Sequence, residues 1–284
     1  MLAPIATIYM NTLSRAALKG LLMTDTMQID HDILYSVDGF VATVTLNRPD
    51  ARNALTYAMM DRLYTIFSEL KGNRDVRAVI LRGAGGTFCA GGDIKEMRET
   101  PLPSSETAGN IDAMLRAINE ASQVVIARVD GAAIGAGFGL ICVSDIAIAS
   151  ESATFSLPEV QLGLAPAFIS PFVIDRVGIT RARELFLTGR RFGGRDAEKY
   201  GLVHECVVDN ALDTAVDGML GHLKQCAPGA IAAAKEIIFE VRSKPTTETI
   251  QYRAEYVNKL REAEEAQEGM RAFIEKRPAK WVVD

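Results

Sequence analysis

Glu159 is the one carboxylate in an otherwise apolar run, FSLPEVQLGLAP at 155–166, and two further runs place glycines directly after hydrophobic residues. Burial raises a carboxylate from its ordinary pKa of about 4.3 towards values at which it exchanges protons near neutral pH. The first glycine-bearing run, VVIARVDGAAIGAGFGLICVSD at 124–145, reads as a buried strand, a tight turn and a short apolar helix. Its Gly131, Gly135, Gly137 and Gly139 leave main-chain amides uncovered where that helix would begin. Amides at a helix start, backed by the helix dipole, suit an anion or an oxygen that becomes negative during reaction. The second run, AVILRGAGGTFCAGGDIKEM at 78–97, repeats the pattern and sets Asp93 near the first turn of a polar helix.

Other chemistries fit less well. Gly135 and Gly137 would start a dinucleotide fingerprint, but its third glycine position falls on Leu140, and the next strand, at 145–149, arrives too soon for a crossover helix. No GK[ST] motif is present. His31, His204 and His222 form no ligand set, so no metal is expected. Cys89, Cys142, Cys206 and Cys226 show no CxxC spacing, which predicts free thiols and a reducing compartment. A net charge of −5 with scattered basic residues gives no footprint for nucleic acid. No apolar run reaches the roughly 20 residues that cross a bilayer. Tight packing alone would also account for one glycine-rich turn.

The elements that must position these residues follow from periodicity. FVATVTL at 40–46 alternates as a strand, and 55–70 places Met59, Leu63, Phe67 and Leu70 on one helical face. A strand at 79–82 enters the loop 83–92, and Ile111, Met114, Leu115 and Ile118 mark an amphipathic helix over 107–122. Short strands follow near Ile146 and Ala153, an apolar segment interrupted by Pro166, Ser170 and Pro171 runs to Val177, and Thr180 caps a helix over 182–187. A helical piece at 193–200 and a strand between Val203 and Val207 complete an α/β pattern with buried parallel strands. From Ala211 the chain reads as helix, with a long charged stretch at 246–276. With 284 residues, 48% of them hydrophobic, the chain can bury a sizeable core.

Together with LNRPDARNAL at 46–55 and EGMRAFIEKR at 268–277, these runs resemble the crotonase, or enoyl-CoA hydratase/isomerase, family over about residues 28–284. Gly163 to Phe172, GLAPAFISPF, looks most like the methylglutaconyl-CoA hydratase branch. The resemblance implies a spiral of ββα units over 28–221, a helical oligomerisation region over 222–284, and a homotrimer or dimer of trimers. It leaves 1–27 as an N-terminal extension. The compartment is expected to be cytoplasmic, or the mitochondrial matrix if that extension, with Arg15, Lys19 and Asp25, is a transit peptide.

Carried over position by position, the resemblance implies oxyanion donors at the Gly92 and Ala136 amides and Glu159 as the catalytic acid/base. It further implies CoA and substrate contacts at Arg52, Ala90, Gly92, Asp93, Ile94, Lys95 and Gly135. The acyl-CoA thioester is the substrate, with no separate cofactor. Two-carboxylate hydratases carry a first glutamate in the central helix, where this chain has Gly139. That gap leaves three readings open: hydration of a branched or carboxylated 2-enoyl-CoA such as 3-methylglutaconyl-CoA, Δ3,Δ2-enoyl-CoA isomerisation by one glutamate, or noncatalytic acyl-CoA binding. On the hydratase reading, Gly139 spares the pocket a further negative charge and leaves room for a C3 branch.

Overall fold

The computed structural model describes residues 31–100 and 105–282, so the extension expected over 1–27 lies outside the described residues. In chain order the elements are β1 (Ile33–Asp38), β2 (Val41–Leu46), α1 (Tyr57–Leu70), β3 (Ala78–Gly83), α2 (Ile94–Glu99), α3 (Ser105–Asn119), β4 (Val124–Val129), β5 (Ala132–Ile134), α4 (Ala136–Cys142), β6 (Ile146–Ser150) and β7 (Thr154–Ser156). They continue as α5 (Ser170–Thr188), β8 (Phe192–Gly193), α6 (Gly194–Lys199), β9 (Glu205–Val207), α7 (Leu212–Leu223), α8 (Pro228–Val241), α9 (Ile250–Glu262) and α10 (Glu264–Glu275).

Six strands form one sheet in the order β1-β2-β3-β4-β6-β9, antiparallel only between β1 and β2. A second sheet has the order β5-β7-β8. The units β4-β5-α4 and β6-β7-α5 are therefore successive ββα turns: their first strands pair in the large sheet and their second strands in the small one. An isolated bridge, Cys89 to Ala133, lays the loop after β3 beside β5, so β3, that loop and α2 form an earlier turn of the same repeat. The arrangement is the expected spiral, with no crossover reversal as in a doubly wound sheet.

Sequence pattern explains most of this. β4 is buried at every position except Arg128, as a strand covered on both faces must be. In α1 the Thr56 hydroxyl accepts the Met59 amide at 3.2 Å, capping a buried stripe of Met59, Leu63, Ile66, Phe67 and Leu70. Three segments differ from expectation. β1 buries only Ile33, so it carries no alternation to read. Pro171 begins α5 instead of interrupting it, because a proline in the first turn lacks only an amide that would be orphaned anyway. Gly178, with φ +73° and ψ 158°, breaks α5 into two helical pieces, and the second begins directly after it with Thr180 in its first turn and runs to Thr188, close to the expected start. The charged stretch at 246–276 divides at Ala263, whose extended backbone separates α9 from α10.

The C-terminal helices are tied to the core by buried polar contacts. Lys235 of α8 donates to Asp145 Oδ2 at 2.7 Å and to the Gln123 carbonyl at 3.0 Å, and the same Asp145 oxygen accepts the Val125 amide of β4. Trp281 donates to the Gln225 carbonyl at 3.1 Å, beside the exposed Cys226, and its ring lies against Gly269 of α10. Residues from Asp32 onward form one compact unit, and the boundary expected at 221/222 falls inside α7.

Candidate active site

A cavity of about 360 Å³ lies where the ββα turns meet. The loop after β3 supplies Ala90, Gly91 and Gly92, α2 supplies Ile94, Glu96 and Met97, and the β5–α4 junction supplies Ile134, Gly135 and Ala136. The turn Pro158–Leu162 brings Glu159, and 164–169 form an apolar wall.

The Gly92 and Ala136 main-chain amides at this cavity have no hydrogen-bond acceptor among the described residues. Leu55 brackets Gly92 by donating to the Gly91 carbonyl at 2.8 Å and accepting the Asp93 amide at 2.8 Å. This parallel bridge turns the N–H of Gly92 itself away from Leu55. On the facing element, Ala136 is the first residue of α4, Gly135 gives it no side-chain cap, and the first bond of the turn runs from the Gly139 amide to the Gly135 carbonyl. The two loops approach closely, for a Cβ on Gly91 would stand 3.9 Å from the Ala136 nitrogen. Two oriented amides converging on one cavity can hold an oxygen whose charge grows during a reaction.

Glu159 faces the same junction. Gly135 has φ +53°, a left-handed conformation that disfavours side chains, and a Cβ there would come within 3.2 Å of Glu159 Oε1. Glycine at 135 thus lets the carboxylate and the α4 amide share one space. Glu159 Oε2 is buried with no hydrogen-bond partner among the described residues. Burial pushes this carboxyl above the usual carboxylate range, which suits proton exchange nearer neutrality. No arginine among the described residues pairs with it. The turn that carries it is pinned to the end of α5, where Gln161 donates to the Gly189 carbonyl at 3.1 Å and Ser156 donates to the same carbonyl at 2.8 Å.

Of the residues singled out from sequence, Glu159, Ala90, Gly92, Ile94, Gly135 and Ala136 line the cavity, whereas Arg52, Asp93, Lys95 and Gly139 do not. Asp93 accepts the Lys95 and Glu96 amides and so caps α2, and its other oxygen meets Arg48 at 3.0 Å. The Arg52 side chain is exposed and its carbonyl accepts the Ala90 amide. Gly139 needs a correction: the space above it is not room for a substrate branch. A Cβ there would lie 3.0 Å from Ile169 Cβ with Cγ2 closer still, so Ile169 fills that space.

The run 46–55 acquires a role that motif-matching missed. Arg48 donates to the Ala54 carbonyl at 2.7 Å as well as to Asp93, joining the two segments that bracket Gly92. Asn53, fully buried with φ +56°, donates to the Ala84 and Thr87 carbonyls and accepts the Arg48 amide. A buried asparagine in left-handed backbone is a scaffold for the 84–93 loop, and only its contacts reveal it. Tyr57 and Glu96 also line the cavity, joined by a bond from the Tyr57 amide to Glu96 at 2.9 Å. All three histidines lie away from the cavity, all four cysteines are free, and no metal-binding cluster is found among the described residues.

Comparison with known proteins agrees with this geometry. Residues 37–283 match the family model described as enoyl-CoA hydratase/isomerase. The chain is 33% identical over 258 residues to "Enoyl-CoA hydratase EchA19" of Mycobacterium tuberculosis, covering 89% of this chain and 97% of that protein. It is 32% identical over 249 residues to "Mevalonyl-coenzyme A hydratase sidH" of Aspergillus fumigatus, covering 85% of this chain and 91% of that one. Among solved structures, Pseudomonas aeruginosa AtuE superposes with a TM-score of 0.85 at 40% identity, over 89% of this chain and 100% of AtuE.

Proposed function

The chain belongs to the enoyl-CoA hydratase/isomerase family, and on that premise we propose that it reversibly adds water to a branched 2-enoyl-CoA with Glu159 as its single acid/base. The observation that carries this reading is the convergence of an unpartnered, buried Glu159 oxygen with the Gly92 and Ala136 amides on one cavity.

The chemistry follows from that placement. The Glu159 carboxylate takes a proton from water as the water oxygen bonds to C3. The C2–C3 π electrons move onto the thioester oxygen, where the two amides hold the enolate. Glu159 then returns the proton to C2 and the carbonyl re-forms. Hydroxyl and proton arrive on one face from one carboxylate. Each amide already points at the oxygen before charge develops, so each is worth roughly 10²–10³ in rate.

The cavity's composition guides the acyl group. Its polar side chains are Tyr57, Glu96 and Glu159, and none of the described residues lining it is Lys, Arg or His. A distal carboxylate, as in 3-methylglutaconyl-CoA, would meet two acids there and find the Tyr57 hydroxyl as its donor. The relative named for mevalonyl-coenzyme A, whose acyl chain is branched at C3, supports a branched substrate. For the CoA portion, Ile94 lines the cavity, while exposed Lys95 and Arg52 stand nearby in sequence as partners for phosphate.

Isomerisation from 3-enoyl to 2-enoyl-CoA by the same glutamate is the second reading, favoured by the filled space above Gly139, which leaves no site there for a second acid. A panel of crotonyl-, 3-methylcrotonyl-, 3-methylglutaconyl- and 3-hexenoyl-CoA separates the readings. Loss of the conjugated thioester absorbance supports hydration, its appearance from 3-hexenoyl-CoA supports isomerisation, and binding without turnover rejects both.

A further inference from the structure

Ile169 closes the cavity on the side of α4. It is 6% exposed and lines the cavity, while Gly139, directly behind it on α4, is buried and does not. Its backbone is fixed: the Ile169 carbonyl accepts the Val173 amide at 3.0 Å, and Ser170 Oγ donates to the Ala167 carbonyl at 2.8 Å, so the residue sits at the very start of α5. On this wall Leu164 and Phe168 are exposed, whereas Pro166 and Ile169 are buried. Through its carbonyl bond to Val173 the Ile169 backbone is tied to the first turn of α5.

We infer that Ile169 is the specificity-determining residue of the acyl end of the cavity. It occupies the volume a side chain at 139 would otherwise take and limits the size of the branch the substrate carries at C3. Two consequences follow. Trimming Ile169 admits a bulkier branch, because a methyl or two in an apolar pocket is worth about tenfold or more in discrimination. An acid placed at 139 clashes with Ile169 and cannot reach the substrate until Ile169 is shortened.

The inference rests on reading this cavity as the acyl site, so the test includes a measurement independent of turnover. Dissociation constants of butyryl-, 3-methylbutyryl- and 3,3-dimethylbutyryl-CoA are compared for the wild type, Ile169→Ala, Gly139→Glu and the double variant, alongside thermal unfolding and hydration of crotonyl-, 3-methylcrotonyl- and 3-methylglutaconyl-CoA. Ile169→Ala should shift the affinity ratio towards the 3,3-dimethyl chain by about tenfold. Gly139→Glu should unfold at lower temperature than the wild type, and the double variant should recover part of that loss. A ratio that moves less than twofold in folded Ile169→Ala, or Gly139→Glu as stable as the wild type, overturns the inference. A wild type that binds these thioesters but hydrates none of crotonyl-, 3-methylcrotonyl- and 3-methylglutaconyl-CoA rejects the hydratase reading and leaves the affinity ratio decisive for Ile169. A wild type that binds none of them overturns the inference as well.

Discussion

Glu159 carries opposite demands in one side chain. Its raised pKa means that the neutral form is favoured on folding, so the protein loses stability as pH climbs from the ordinary carboxylate range through the raised value, and the full penalty persists above it. Glu159→Gln, nearly isosteric and never charged, should therefore unfold at a higher temperature than the wild type at pH 8, with the difference closing at pH 4. Calorimetry at the two pH values checks this, and an unchanged difference contradicts it. The same substitution should lower kcat by at least about 10² while saturated acyl-CoA still binds. In the wild type, kcat/KM should fall on the acid side with a midpoint above the usual carboxylate range, since the ionised form accepts the water proton. Glu159 was legible in the sequence as an acid among apolar residues. Ile169 was not, because an isoleucine among hydrophobic neighbours carries no sign that it presses on a glycine thirty residues earlier in the chain.

At the scale of elements, the 84–93 loop owes its shape to residues that precede it by some forty positions. Arg48 links the Ala54 carbonyl to the Asp93 carboxylate, which the Glu96 amide and Arg48 together hold below the usual range. Loosening that clasp should misdirect the Gly92 amide more than it weakens substrate binding. Arg48→Gln is expected to reduce kcat by about tenfold or more with KM changed less than threefold, since a misplaced group costs rate before it costs affinity. Equal changes in both would show that the clasp serves binding. Strands and helices with one clean periodicity, such as β2 and α1, were readable because a buried face imposes it. β5 was not, since its three residues follow β4 across a turn and read as part of the glycine run. That Asp93 caps α2 was hidden for a similar reason: a motif fixes position, and the partners of a side chain follow from what lies around it.

At the scale of the molecule, α7 packs on the large sheet through Leu212, Val216 and Leu223, and α8 is tied to it by Lys235. Burial pushes the Lys235 ammonium below the usual lysine range against the opposing pull of Asp145. Lys235→Ala would leave Asp145 uncompensated and should destabilise by about 3 kcal/mol, measured by urea unfolding, whereas a surface lysine would change little. Ile250, Val257, Phe273 and Ile274 on α9 and α10 are exposed, and the expected homotrimer or dimer of trimers would be one way to cover them. Light scattering should then give three or six times the chain mass. A monomer at micromolar concentration contradicts it.

The contact between Trp281 and the Gln225 carbonyl also makes the chain its own fluorometer. Trp281 is the sole tryptophan in the sequence, and its indole is held between α10 and the segment after α7. Its emission therefore reports whether the C-terminal helix is docked, while far-UV dichroism reports helix and strand content throughout the chain. Cys226 is exposed one residue from Gln225, whereas burial pushes the Cys89 and Cys142 thiols up to about 12 and Cys206 is buried, so a maleimide dye at neutral pH labels Cys226 selectively. An acceptor dye there would quench the indole by energy transfer while the helix is seated. Undocking of that helix, by dilution or by ligand, would then appear as recovered emission before the far-UV signal moves.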